Sequence, residues 1–103
     1  MKVVTSDFAG QEILKTAKYI QREFGKRSRD NFLQKVRETK SLLSSNPDLG
    51  PEESLLEGRP ISYRSIVVAK VNKIVYRIME DRIEIVDFWD VRREPKALSS
   101  QVE

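Results

Sequence analysis

Several cations in the last third of the chain lie in or beside short β-prone segments. They are Arg64, Lys73, Arg77 and Arg92. A charged side chain in the middle of a strand is costly to bury, which predicts that these cations lie on the open face of a sheet. A basic face of this kind suits phosphate, and therefore RNA, DNA or an acidic protein segment.

One chemistry that such a face could support is RNA cleavage through the 2′-hydroxyl, which needs a base, cations at the scissile phosphate and an acid. Arginine supplies only the charge, because its pKa stays above about 12. Lys73 could be the base only if neighbouring cations depressed its pKa. The chain has no histidine, so Asp90 is the remaining candidate base. The alternative role for Asp90 is an ion pair with Arg92 or Arg93. Arg64 and Arg77 could contact phosphate, or they could be solvated or ion-paired residues of a strand.

The residues that flank the last two strands are candidates for binding. They are Lys70, Trp89, Asp90 and Arg93. Adjacent guanidinium groups on a bend, as at Arg92 and Arg93, suit phosphate or carboxylate, although pairing with nearby acids such as Asp87 or Glu94 is an alternative. Trp89 could stack on a base or pack in a core. Lys70 could contact a ligand or simply serve a turn.

Composition limits both the size and the chemistry of the protein. With 103 residues, 19 Lys and Arg, 16 Asp and Glu and a net charge of +3, the chain is predicted to be one mildly basic domain over residues 1–103. Neither cysteine nor histidine is present, which excludes disulfides and the usual zinc ligands, so no metal or cofactor is expected. No leader and no apolar run of about 20 residues occurs, so a soluble, cytoplasmic protein without a membrane partner is expected.

The elements that must position these residues begin with a short strand and two helices. Lys2 to Thr5 is predicted as an edge strand, and Ser6 as the cap of a helix that Gly25 ends. The apolar stripe of that helix consists of Ala9, Ile13, Ala17, Ile20 and Phe24. Ser28 is predicted to cap a second helix that Asn46-Pro47 stops, which gives an antiparallel helical hairpin.

The rest of the chain is predicted as a long loop followed by a sheet. Residues 44–60 are rich in Ser, Pro, Gly and acids, with a possible short strand around Leu55 and Leu56. Three β-rich runs then predict a three-stranded antiparallel meander packed on the helices, so the fold class is α+β. In the last run, a β-bulge near Val86 or Asp87 would give Phe88 a place in the core.

The order of these elements and three motifs within them resemble the RelE/ParE superfamily of toxins from bacterial type II toxin–antitoxin pairs. The motifs are Tyr63-Arg64, Val75-Tyr76-Arg77-Ile78 and Trp89-Asp90-Val91-Arg92-Arg93-Glu94-Pro95. The resemblance covers essentially the whole chain. It implies a compact toxin that a cognate antitoxin wraps and silences.

Two branches of this superfamily act differently. The RelE-like branch cuts messenger RNA in the ribosomal A site with cations on its sheet, and the ParE-like branch inhibits DNA gyrase. The family's basic positions fall on Arg64, Lys73, Arg77 and Arg92. Many ribonuclease members carry a histidine where this chain has Asp90, and some carry a C-terminal tyrosine near the place of Leu98.

The resemblance therefore predicts a toxin whose partners are a cognate antitoxin and either the ribosome with messenger RNA or DNA gyrase. Ribosome-dependent RNA cleavage is placed ahead of gyrase inhibition, because the basic stripe is expected on the sheet. Part of the antitoxin contact is expected on the same face. A non-enzymatic nucleic-acid or protein-binding module of the same fold is the alternative from a different class.

Overall fold

The computed structural model describes residues 1–93, 98 and 100–102. Strand β1 (Lys2–Thr5) lies at one edge of a four-stranded sheet and pairs in parallel with the last strand, β4 (Arg82–Asp90). Strands β2 (Arg64–Ala69), β3 (Asn72–Ile78) and β4 form an antiparallel meander, in the sheet order β1-β4-β3-β2. The α+β architecture with an edge strand and a meander is therefore confirmed.

Helix α1 (Asp7–Phe24) begins where the sequence predicts. The Ser6 hydroxyl accepts a hydrogen bond from the Ala9 N–H at 3.1 Å, which satisfies one of the unpaired donors at the helix start. The stripe residues Ala9, Ile13 and Ala17 are buried and Ile20 is half-buried, but Phe24 at the last turn is 67% exposed, so its predicted place in the stripe is wrong. Helix α1 thereby packs along the sheet with its polar side in solvent.

The start of helix α2 (Lys26–Ser45) differs from the prediction. Gly25 adopts φ 94° and ψ 174°, a conformation that residues with a side chain rarely adopt, so one residue reverses the chain. Helix α2 therefore begins at Lys26, and Ser28 does not cap it. Instead the Ser28 hydroxyl donates to the Phe24 carbonyl at 3.3 Å.

The segment between α2 and β2 contains no strand around Leu55 and Leu56; that prediction is wrong. Residues Ser54–Leu56 form a 3₁₀ helix, with the Glu53 carboxylate accepting a hydrogen bond from the Leu55 N–H at 2.9 Å. Leu56 is buried by this turn. The cap that Glu53 provides thus favours a helical turn here, and the β preference of two leucines is too weak to form a strand.

The predicted bulge in β4 is confirmed. Val75 lies opposite Asp87 while Tyr76 lies opposite Ile85, so Val86 is the extra residue. The bulge restores the alternation, and Phe88 joins Ile83 and Ile85 in the core under the helices.

The sheet face opposite the helices carries a second, smaller apolar cluster. Its buried members are Leu56, Tyr63, Val75, Trp89, Leu98 and Val102. We call this the second core. The segment before β2 and the tail after β4 cover the face that the sequence predicts to be open, because apolar residues on both sides of β3 and β4 need burial. No helix in the described part of the chain is long and apolar enough to cross a membrane.

Candidate functional site

The predicted catalytic cations do not share one face of the sheet. Arg64 lies opposite Tyr76, whose ring is in the core under the helices, whereas Lys73 lies opposite Trp89 in the second core. Tyr63 is buried in the second core. Because successive side chains of an extended chain point to opposite faces, its neighbour Arg64 lies on the helix side of the sheet. The prediction of a single basic stripe is therefore wrong.

Lys73 is held by a buried acid. Its ammonium group forms an ion pair with the Glu53 carboxylate, and the two side chains are 14% and 3% exposed. Burial alone would raise the pKa of Glu53, but hydrogen bonds from Lys73 and from the Leu55 N–H outweigh it, so the pKa is lowered. The ion pair attaches the segment before β2 to the sheet, and it neutralises the positive charge of Lys73.

Arg77 is held in a similar way, at the far end of β3. Its guanidinium donates to one oxygen of Glu84 at 2.6 Å and 2.7 Å, while Arg82 donates to the other oxygen at 2.7 Å. Hydrogen bonds from these two arginines hold the pKa of Glu84 below its ordinary value. One carboxylate therefore holds two guanidinium groups in place and offsets one of their two positive charges.

Arg64 binds the loop that follows α2. Its guanidinium donates to the Gly50 carbonyl at 2.7 Å and lies 3.6 Å from the Asp48 carboxylate. The Tyr76 hydroxyl of β3 binds the same loop: it accepts a hydrogen bond from the Gly50 N–H at 2.9 Å and donates one to the Pro47 carbonyl at 2.8 Å. A Cβ atom at Gly50 would lie 2.4 Å from the Ser65 carbonyl oxygen, so only glycine permits this close approach. The contacts of Arg64 are those of a loop anchor.

The exposed Arg92 forms an ion pair with the partly buried Asp90, the last residue of β4. The guanidinium donates to the two carboxylate oxygens at 2.7 Å and 3.0 Å, and the Arg92 side chain is 70% exposed. The hydrogen bond from Arg92 is the main reason that the pKa of Asp90 is lowered. A carboxylate with a lowered pKa is a weak base near neutral pH, which disfavours Asp90 as a proton acceptor.

The remaining predicted binding residues lie at the second core or in a turn. Trp89 is 1% exposed, and the Arg93 guanidinium lies 4.5 Å from its ring centroid. Arg93 also donates to the Gln101 side chain at 3.1 Å. Trp89 therefore packs in the second core, which was the alternative to stacking on a base. Lys70 is exposed in the turn between β2 and β3. Glu94, one predicted partner of the arginines, lies outside the described residues.

Two buried acids escaped the sequence analysis as functional candidates. Glu53 lies in the acid-rich loop, where nothing in the pattern distinguishes it from Glu52. Asp87 is 1% exposed; its carboxylate accepts from the Phe88 N–H at 2.7 Å and from Gln101 at 2.9 Å, and burial raises its pKa. Only the bulge, which turns Asp87 to the second core, indicated its position. No group of three or more acidic side chains that could hold a metal ion occurs among the described residues.

Comparison with solved structures shows the same fold in bacterial toxin systems. A chain of the chromosomal ParDE toxin–antitoxin system from P. aeruginosa superposes with a TM-score of 0.72, at 14% identity, over 88% of this chain and 96% of that one. The YoeB/ParE toxin from Agrobacterium tumefaciens gives 0.60 at 20% identity, over 87% and 98%. The YoeB dimer from Staphylococcus aureus gives 0.56 at 19% identity, over 84% and 92%. No curated protein sequence matches the chain.

Sequence comparison with family models gives the assignment that the structural likeness alone does not. The model that matches describes the ParE toxin of the type II toxin–antitoxin system parDE, and it spans residues 3–95. This match covers all of β1 except Lys2, both helices and the whole meander. The chain therefore belongs to the ParE toxin family of type II toxin–antitoxin systems.

Proposed function

We propose that this toxin arrests growth by binding and inhibiting DNA gyrase, and not by cutting RNA. The observation that supports the proposal is the ion pair between Lys73 and the buried Glu53. A lysine that is 14% exposed and already neutralises a buried carboxylate has little charge left for a phosphate, and moving it away from that carboxylate would be strongly unfavourable. The proposal reverses the order that the sequence alone favoured.

The other requirements of RNA cleavage are also poorly met by the described residues. Arg77 is paired with Glu84, Arg64 with a loop carbonyl, and the two lie on different faces of the sheet. Asp90, the remaining candidate base, has a lowered pKa. Preorganised cations and a tuned base account for most of the rate in such reactions, so their absence here favours inhibition by binding.

In the cell, the partner that controls this toxin is its cognate antitoxin, and the toxin acts in the cytoplasm, where gyrase and the chromosome are found. Free toxin would then bind gyrase through its surface without any chemical step. Binding of this kind needs shape and charge complementarity but no general base, which agrees with a chain that lacks histidine.

The test separates the target from the toxicity. Induction of this chain alone should arrest bacterial growth, with filamentation, a DNA-damage response and intact transcripts, and co-expression of the adjacent antitoxin gene should restore growth. Purified toxin should inhibit DNA supercoiling by gyrase. Asp90→Asn removes the candidate base and should leave the arrest unchanged.

Three outcomes would contradict the proposal. Rapid loss of translation with cut transcripts, combined with unaffected supercoiling, would identify a ribonuclease. A loss of toxicity in a folded Asp90→Asn variant would restore that carboxylate as a catalytic base. Normal growth at confirmed soluble expression would favour a binding module that only shares the fold.

A further inference from the structure

The positive charge of this protein is concentrated around the turn between the two helices. Residues 15–29 contain one acid, Glu23, and six cations, which are Lys15, Lys18, Arg22, Lys26, Arg27 and Arg29. The net charge of this segment is therefore +5, whereas that of the whole chain is +3, so the other residues together carry −2. We call residues 15–29 the basic tip.

The hairpin brings the cations of both helices to one end of the molecule. The single residue Gly25 joins α1 to α2, and the Arg29 guanidinium of α2 donates to the Gln21 side chain of α1 at 2.6 Å. Lys18 and Arg22 are four residues apart, which places them on the same side of α1, and both are exposed. The basic tip is therefore one surface built from two helices.

Much of this charge has no partner within the protein. Lys18, Lys26 and Arg27 are exposed, and none of them forms a hydrogen bond or an ion pair with the described residues. Lys15 and Arg22 each lie 3.4 Å from a glutamate, and such pairs at a solvated surface contribute little. The basic tip thus differs from the sheet, where Lys73 is neutralised by a buried acid.

Lys26 and Arg27 lie where they do not stabilise the fold. The amino end of a helix carries partial positive charge, so cations in its first turn are unfavourable. Helix α1 follows this rule, with Asp7 in its first turn and Ser6 as its cap. The first turn of α2 contains no acid and has no side-chain cap. Cations that reduce stability in this way are expected where a surface serves binding.

Two exposed aromatic side chains lie among the cations. Phe24 is 67% exposed, and Tyr19 is 51% exposed with the Arg22 guanidinium 5.7 Å from its ring centroid. A matching ligand therefore combines several anionic groups with apolar surface. Duplex DNA does so, because sugars and base edges lie between its phosphates. An anionic membrane also combines them, but one phenylalanine buries too little apolar area to hold a protein there.

We propose that the basic tip binds the phosphate backbone of duplex DNA, with Lys18, Arg22, Lys26 and Arg27 as the contacting cations. Contacts of this kind do not depend on base sequence. The toxin then contacts the DNA that gyrase holds as well as the enzyme itself. This last step rests on the proposed function, whereas binding of DNA by the basic tip does not.

The salt dependence of DNA binding by the purified toxin, without gyrase, tests the proposal. Fluorescence anisotropy of a labelled duplex of about 20 base pairs follows binding between about 50 and 150 mM salt. Four phosphate contacts predict a slope of about −3.6 in a plot of log K against log salt, so binding should weaken about fiftyfold over this range. A slope near zero would overturn the proposal.

Neutral substitutions locate the contacts. The double variant Lys26→Gln with Arg27→Gln should reduce the slope to about −1.8 and weaken binding about tenfold or more at the lower salt concentration. Lys18→Gln with Arg22→Gln should have the same effect from the other helix.

A matched control makes the same change in net charge outside the basic tip. Lys2→Gln with Lys35→Gln alters one exposed residue of β1 and one that lies more than two turns beyond Arg27 in α2, and it should keep the slope near −3.6. Equal slopes in the control and in the two tip variants would overturn the proposal, because the effect would then follow net charge alone. Binding about tenfold tighter to duplex RNA or to phosphatidylglycerol vesicles, at equal phosphate concentration, would also overturn it.

Thermal unfolding distinguishes lost contacts from lost folding. The variant without Lys26 and Arg27 should melt at the same temperature as the wild type or higher, because the two charges lie in an unfavourable position. If it melts lower, the Lys18→Gln with Arg22→Gln variant decides, and an unchanged slope there would overturn the proposal.

Supercoiling by gyrase tests the step that rests on the proposed function. About tenfold more of a tip variant than of the wild type should be needed for the same inhibition. Equal inhibition would overturn the contact with gyrase-held DNA. A wild-type toxin that binds DNA through the basic tip but does not inhibit supercoiling would contradict the proposed function and leave DNA binding in place.

Discussion

Lys73 shows how a side chain that suits catalysis can instead serve the fold. Its position in the sequence predicts that it lies in a strand, on the face of the sheet opposite the helices, and both predictions are correct. Its partner Glu53 lies 20 residues earlier, on a segment whose path depends on the 3₁₀ helix and the second core. The ion pair could not be predicted, because strand alternation describes a face but not what covers it.

Removal of Lys73 should therefore destabilise the protein. Lys73→Met leaves the Glu53 carboxylate buried without its partner, and we expect a loss of about 3 kcal/mol in the free energy of unfolding. Urea denaturation measures this value, with Lys70→Met at an exposed turn as the control. The double variant Lys73→Met with Glu53→Gln should recover much of the loss. A fully stable Lys73→Met protein would show that the ion pair contributes nothing, and would return Lys73 to the candidates for phosphate binding.

At the scale of elements, repeated apolar patterns were more reliable than single residues or pairs: Ser6 caps α1 as predicted, but the Leu55–Leu56 pair forms no strand. The stripe from Ala9 to Ala17 placed α1 correctly, and the conflict between Ile85 and Asp87 located the bulge in β4. Ser28 failed as a cap because the chain reverses at one residue, Gly25. Serine is a common residue near the start of a helix, so its presence at position 28 did not distinguish a cap from a residue inside the first turn. The spacing of residues could not show that the chain already reverses at Gly25 and that α2 begins at Lys26.

The joint at Gly25 gives a prediction about the hairpin. Gly25→Ala should cost about 1 to 3 kcal/mol, because φ 94° with ψ 174° is a region that alanine rarely adopts. A Cβ atom there would meet nothing within 4 Å, so the expected cost is backbone strain and not a clash. Gly10→Ala, inside α1 and also free of clashes, should instead stabilise by about 0.5 to 1 kcal/mol. Thermal unfolding of the two variants would show opposite shifts, and shifts of the same sign would contradict this account.

At the scale of the whole molecule, the sheet lies between two apolar layers of unequal size. The helices cover one side, while Leu56, Tyr63, Leu98 and Val102 cover part of the other. The sequence predicted the first layer, since its residues repeat with helical spacing. It missed the second because isolated apolar residues in a loop and a tail carry no periodic signal. That omission is also why the basic stripe was expected on an open face.

The tail should therefore contribute to stability. Leu98 is fully buried, and Leu98→Ala should lower the free energy of unfolding by about 2 kcal/mol or more. The chain has one tryptophan, Trp89, so its fluorescence reports directly on the second core and should shift to longer wavelength. Leu42→Ala, at a side chain that is 53% exposed, should change neither property. An unchanged emission spectrum in Leu98→Ala would mean that the tail does not shield Trp89.

The pairing of β1 with β4 has a consequence for the synthesis of this toxin. Strand β1 leaves the ribosome well before its partner β4, because both helices and the other two strands lie between them in the sequence, with Lys2 opposite Arg82. Helices α1 and α2 can form early, but their core partners Ile83, Ile85 and Phe88 are made late. Long-range pairing of this kind waits for the distant segment. We therefore expect a nascent chain to be harmless until β4 has been synthesised and can pair with β1.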